Sequence, residues 1–229
     1  MKKHLVILSG AGMSAESGVA TFRDANGLWE GHDVMEVATP QGFETNPDLV
    51  YEFYNQRRKQ LFDVKPNKGH QIIADLEKDF CVSVITQNVD DLHERAGSSN
   101  VLHLHGELRK VRSIEDQTYI LDWTTDLTSN DKDPNGFAMR PHIVWFGEDV
   151  PMLNTAVEIM NTADIVIIIG TSLQVYPAAS LYEYAPENSK VFYIDPNPAN
   201  GTPKKVQVCL LYTSPSPRDG ATSRMPSSA

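Results

Sequence analysis

Short apolar runs, each closed by small or polar residues, alternate along this chain with longer amphipathic stretches. Leu5–Leu8, Val82–Ile85, Asp164–Ile169 and Val191–Ile194 are apolar almost throughout. Runs of that length without polar alternation predict strands buried on both faces. Leu49–Phe62, Gly69–Asp79 and Met152–Thr162 carry helical spacing between them. Strands alternating with helices predict an α/β protein with a parallel sheet. Such sheets bind ligands beyond the carboxyl ends of their strands. The runs end in Gly10, in Thr86-Gln87-Asn88, in Gly170-Thr171-Ser172 and in Asp195-Pro196-Asn197, so these ends should converge on one crevice.

Two stretches break the alternation. Residues 30–69 read as a loop and the long helix with no strand between, and residues 106–142 are polar and turn-rich. Both read as insertions that build a smaller module. The domain reading is therefore a parallel-sheet body from 1–29, 70–105 and 143–208, with 30–69 and 106–142 as the module. The last residues, Cys209–Ala229, are rich in Ser and Pro and lack periodicity. Codons exist that make CLLYTSPSPRD and SRMPSSA the two ends of a transposon-end sequencing adapter, so 209–229 is expected to be a non-native tail. A chain cut near Val208 should bind its ligand weakly until a native end is restored.

Composition narrows the classes. A net charge of −10 argues against a nucleic-acid surface spread over the molecule. The apolar run after Lys2-Lys3 is too short for a signal peptide, and no run approaches the roughly 20 residues of a membrane span. The expectation is a cytoplasmic protein with no membrane or nucleic-acid partner. Cys81 and Cys209 cannot form a disulfide framework or a four-cysteine zinc site.

Gly10-Ala11-Gly12-Met13-Ser14-Ala15 fits the loose GxGxxG/A pattern after a strand. Glycines admit a pyrophosphate to the backbone, and a following helix N-terminus favours its charge. The same residues also suit a plain strand–helix turn. A dehydrogenase needs a second strand ending in an acidic residue about 20 residues later, and Gly27–Gly31 is not one.

Five segments in order are more specific: GAGMSAESGVATFRDANGLW (Gly10–Trp29), TQNVDDLHERAG (Thr86–Gly97), HLHGEL (His103–Leu108), RPHIVWFGE (Arg140–Glu148) and GTSLQVYPAA (Gly170–Ala179). Together they resemble the sirtuins, NAD-dependent protein-lysine deacylases. The resemblance implies a Rossmann-like parallel sheet with helices on both faces plus a small module from the two insertions. It implies that Gly10, Ala11, Gly12 and Ser14 cradle the NAD phosphates and that Phe22 and Arg23 lie over the nicotinamide ribose, with Trp29 in the same site. Gln87 and Asn88 would hold that ribose, Asp90 the carboxamide, and His105 would be the general base, with Asn88 also catalytic. Gly170, Thr171 and Ser172 would line the phosphate and adenosine side, and Asp195 and Asn197 would take ribose hydroxyls. The acyl-lysine oxygen would attack C1′ as nicotinamide leaves. His105 would then take a proton from a ribose hydroxyl, giving free lysine and 2′-O-acyl-ADP-ribose. His103 is expected on the opposite face of the strand.

Tyr54 and Arg57 share a helix face. With Ala25 they resemble the desuccinylase branch, where a carboxylated acyl group is held; Arg58 and Lys59 beside them read as a solvated surface. Val144, Phe146, Gly147 and Val175 would flank the substrate peptide. The family's zinc cysteines are missing from 106–142, so no zinc is expected, and Leu108, Ile120, Leu121 and Trp123 should hold the module together. The partners implied are acyl-lysine side chains of proteins, met by a monomer. A non-catalytic NAD or ADP-ribose sensor and a protein ADP-ribosyltransferase remain as alternatives.

Overall fold

The computed structural model describes residues 2–19, 28–29, 31–196 and 206–209. In chain order the elements are β1 (His4–Ser9), β2 (Leu28–Trp29), β3 (His32–Asp33), α1 (Val34–Val37), α2 (Pro40–Thr45), α3 (Pro47–Asp63) and α4 (Lys68–Asp75). There follow β4 (Cys81–Thr86), α5 (Leu92–Ala96), β5 (Val101–His103), β6 (Gly106–Ser113), β7 (Ile120–Asp122), β8 (Met139–Ile143), α6 (Leu153–Met160), β9 (Ile165–Ile169), β10 (Lys190–Ile194) and β11 (Val206–Cys209).

A six-stranded sheet runs in the order β11-β10-β9-β1-β4-β5, with every pairing parallel. The expected apolar runs form its centre. In β1, Val6 and Leu8 join Val166, Ile168, Met160 and Leu181 on one face, while Leu5 and Ile7 join Ile73, Val82 and Val84 on the other. Burial on both faces is why these strands read as continuous apolar runs. The edge strands β5 and β11 escape that signature, and Cys209, assigned to the tail, pairs with Ile194.

Register decides where the chemistry lies. Ser9 pairs with Thr86 and Ile169, and Ile169 pairs with Ile194. The residues that follow, Gly10, Gln87, Gly170 and Asp195, are therefore level. The strand order also reverses at β1, between β4 and β9, which is where ligands bind in open α/β sheets.

The small module corrects several expectations. Residues 30–69 do contain a strand, β3, paired with β2 in a short antiparallel hairpin. Residues 106–142 build most of a three-stranded antiparallel sheet, β7-β6-β8. Leu108 is buried, but Ile120 and Leu121 are 40% and 38% exposed because β7 is a short edge strand. The module's core is instead Tyr51, Val111, Leu127 and Met139, with Trp123 packed against it. Ser113 adds a polar node. Its hydroxyl donates to Asp133 at 2.7 Å and accepts from the Glu115 and Asp116 amides, while Asp133 also accepts from the Asn135 and Phe137 amides. Among the described residues no cluster of three His, Cys, Asp or Glu side chains could hold a metal ion.

Candidate active site

The phosphate-loop motif differs from expectation in form. No α-helix follows β1 directly; two 3-10 turns, Ala11–Met13 and Ala15–Ser17, take its place. The glycines there have a reason beyond ligand access. Gly12 N–H donates to the Gly170 carbonyl at 2.8 Å, and a Cβ on Gly12 would lie 2.9 Å from that oxygen. Gly170 itself has φ +62°, the left-handed region that glycine adopts without strain. Two strand ends thus lock backbone to backbone, and the close approach leaves no space for side chains.

The loop after β4 supplies the densest polar cluster. Asn88 Nδ2 donates to Ser14 Oγ at 3.0 Å, and Ser14 Oγ donates to Asp90 Oδ2 at 2.8 Å. Leu92 N–H donates to Asp90 Oδ1, which fixes both carboxylate oxygens. Burial raises the Asp90 pKa, and these hydrogen bonds pull it back in part. Gln87 Nε2 donates to Thr171 Oγ1 at 3.1 Å, joining this loop to the end of β9.

His105 follows β5 and is half-buried. Its Nδ1 lies 3.1 Å from the Gln87 carbonyl. A carbonyl only accepts, so Nδ1 carries the proton and the neutral ring keeps its lone pair on Nε2. Burial pushes the His105 pKa below the usual imidazole value, with the carbonyl opposing. His103 does not face the other way. Its Nδ1 lies 2.9 Å from the Asn88 carbonyl, so both rings reach the same loop, as residues two apart on extended chain must.

A cleft beside the loop is lined by Val19, Trp29, Arg57, Gln60, Leu61, Val89, Asp90 and Leu108. It brings Arg57 of α3 together with Trp29 and Asp90. Arg57 stacks on the Phe53 ring at 4.7 Å. Tyr54 is not a lining residue. It is fully buried beneath, its hydroxyl accepting from Trp145 Nε1 at 3.0 Å, and burial raises its pKa. Arg58 overturns the reading as a solvated neighbour. It is 1% exposed, and its Nε donates to the Leu108 carbonyl while Nη1 donates to Asn55 Oδ1 and the Thr125 carbonyl. No periodicity could reveal it, because it sits between a cleft residue and an exposed lysine.

Val144 N–H donates to the His105 carbonyl at 2.9 Å, and Phe146 N–H to the Ala38 carbonyl at 2.9 Å. This segment therefore ties the His105 strand to the small module. Phe146 and Gly147 are exposed, while Val144 and Val175 are half-buried. Glu148 turns inward and accepts from Nη1 and Nη2 of Arg140 and from Arg112, which anchors the segment's far end. Thr171 is buried, Ser172 half-buried, and Asp195 is buried at the end of β10. Phe22, Arg23, Ala25 and Asn197 lie outside the described residues.

The level strand ends, the glycine loops and the Asn88–Ser14–Asp90 cluster define a Rossmann-like α/β protein with a polar crevice at its switch point. Residues 10–177 match the Sir2 family. An NAD-dependent protein deacylase of Helicobacter pylori (strain ATCC 700392 / 26695) is 59% identical over 206 residues, covering 90% of each chain. One of Aggregatibacter actinomycetemcomitans is 55% identical over 201 residues, covering 88% of this chain and 97% of that one. The crystal structure of a Sir2 homolog–NAD complex superposes with a TM-score of 0.81 at 41% identity, covering 90% of this chain and 84% of that one. The chain belongs to the Sir2 family, whose members use NAD as co-substrate.

Proposed function

We propose that this chain is an NAD-dependent protein-lysine deacylase that takes acidic acyl groups, succinyl or malonyl, as well as acetyl. The observation that carries the reading is His105, a neutral imidazole with its lone pair directed to Nε2, held at the level strand ends next to the Asn88–Ser14–Asp90 cluster. Relatives at 59% and 55% identity bear the name of NAD-dependent protein deacylase, which supports the same class.

The donor set suits a dinucleotide. Gly10, Ala11, Gly12 and Ser14 form the turn that takes the phosphates, its glycines keeping the backbone clear of side chains; Gly170, Thr171 and Ser172 line the adenosine side with Asp195 at the ribose hydroxyls. Gln87 and Asn88 face the second ribose, Asp90 the carboxamide, and Trp29 closes the cleft. Bound there, NAD supplies a ribose carbon from which nicotinamide can leave. The chain's residues do the rest. Asn88 and Asp90 orient the reacting ribose and its leaving group. Preorganised dipoles and the Asp90 carboxylate stabilise the positive charge that develops. His105 Nε2 takes the proton of a ribose hydroxyl, a task an imidazole of lowered pKa performs at neutral pH. Val144, Phe146 and Gly147 on one side and Val175 on the other receive the peptide as an added strand.

Arg57 selects the acyl group. Arg57 lines the cleft and its guanidinium can pair with a carboxylate, whereas Tyr54 is fully buried and is not among the lining residues. A charge-assisted bond of about 1.5–3 kcal/mol corresponds to roughly 10- to 150-fold in preference. Nicotinamide release should be followed with acetyl- and succinyl-lysine peptides. Arg57→Ala is expected to cut desuccinylation by that factor and leave deacetylation nearly intact. Equal losses on both substrates would refute the pocket, and ADP-ribose left on the peptide would refute deacylation.

A further inference from the structure

His103 and His105 are two residues apart, both bond carbonyls of the 86–90 loop, and yet their surroundings are opposite. His105 meets one acceptor. His103 meets two: the Asn88 carbonyl at Nδ1, 2.9 Å, and Glu94 Oε1 at Nε2, 2.7 Å. A carbonyl and a carboxylate both only accept, so both ring nitrogens carry protons. The His103 side chain is 7% exposed, while its Glu94 partner is 40% exposed. Its carbonyl partner belongs to Asn88, whose side chain bonds Ser14 and through it Asp90. The preceding carbonyl, of Gln87, is the one that sets His105.

We propose that His103 is a positioning residue for deacylation: an imidazolium clamped between Glu94 of α5 and the Asn88 carbonyl, it holds the 86–90 loop so that Gln87 orients His105 and Asn88 and Asp90 face the co-substrate. This role rests on the deacylase reading above. The charged groups around His103 favour it. Glu94 and the neutral His93 face it from α5, Asp90 from the loop and Glu107 from β6. Burial alone would lower the His103 pKa; the bond and charge of Glu94, the Asn88 carbonyl and Glu107 outweigh it and hold it above the ordinary value. The site thus runs two imidazoles in opposite states, His105 as the base and His103 as the fixed cation.

The pH profile of nicotinamide release from NAD and an acyl-lysine peptide tests this, alongside an NMR titration of the imidazole nitrogens in the full chain. The acid limb should report His105 and the alkaline limb His103. Glu94→Gln should move the alkaline limb to lower pH and leave the acid limb in place. His103→Gln, which cannot titrate, should abolish that limb and lower kcat at every pH. An alkaline limb unmoved in Glu94→Gln, or an NMR spectrum with His103 neutral at neutral pH, would overturn the proposal. Wild-type chain that releases no nicotinamide while His103 titrates as a cation would sink the deacylase reading, and the positioning role with it, but not the ion pair.

Discussion

A carbonyl oxygen can only accept a hydrogen bond, and that fact sets the tautomer of His105. The Gln87 carbonyl takes Nδ1–H and leaves Nε2 as the base. Replacing His105 with Ala removes the proton acceptor while Asn88, Ser14 and Asp90 keep their bonds to one another. General-base loss costs about 10²- to 10⁴-fold, so kcat for nicotinamide-coupled deacylation should fall by that range with NAD binding largely kept. Isothermal titration with NAD beside a turnover assay separates the two quantities. His103 shows where residue-level reading went astray. The expected opposite face does not hold, because residues two apart on extended chain share one. What was not legible at all is Glu94, because only the fold brings α5 against the end of β5.

At the scale of elements, α3 carries two arginines with contrary tasks. Arg57 lines the cleft; Arg58 points the other way and fastens the helix to β6 and to the 125–127 segment. Burial lowers the Arg58 pKa to about 10, which leaves it charged at neutral pH. Arg58→Leu would strip the Leu108 and Thr125 carbonyls of their donor inside the protein. Each such loss costs about 1–3 kcal/mol, and relief from burying a charge offsets only part of that. A net loss of about 2 kcal/mol, or roughly 4–8 °C in Tm, is expected by calorimetry, and Arg58→Lys should restore only part of it, because an ammonium lacks the planar fork that reaches the two carbonyls from separate nitrogens. The same contrast explains what the chain discloses beforehand. Strands buried on both faces, β1, β4, β9 and β10, announce themselves as apolar runs within a residue of their observed ends. The β6–β8 sheet does not, because its inner positions are Val111, Ser113, Met139 and Arg140 and no period-2 pattern survives. The crevice was legible from the small residues at strand ends; the interlock of Gly12 with Gly170 was not, since it joins segments far apart in sequence.

Across the whole molecule, buried neutral imidazoles tie stability to pH. His70 and His93 pack ring to ring at 4.8 Å and are 0% and 1% exposed. His70 Nδ1 accepts the Asn67 amide in the cap of α4, and His93 Nε2 bonds Ser9 at the end of β1. Burial pushes their pKa values from 6.5 down to about 4 and about 3. The unfolded chain therefore takes up protons near pH 6.5 that the folded chain refuses. Their contribution is full above that pH and is lost as pH falls toward 4, by up to about 1.4 kcal/mol per unit for each ring. Urea unfolding as a function of pH should show that slope, and His93→Gln, which keeps a donor for Ser9, should flatten it. The strand order has a consequence for the newborn chain. β1 is made first but lies at the centre of the sheet, and Leu5 finds its neighbour Ile165 only after most of the protein has been translated. At about 5–20 residues per second, the first apolar strand waits roughly 10–30 s beyond its own synthesis with one edge open. During that interval it is a natural client for whatever shields nascent chains at the ribosome.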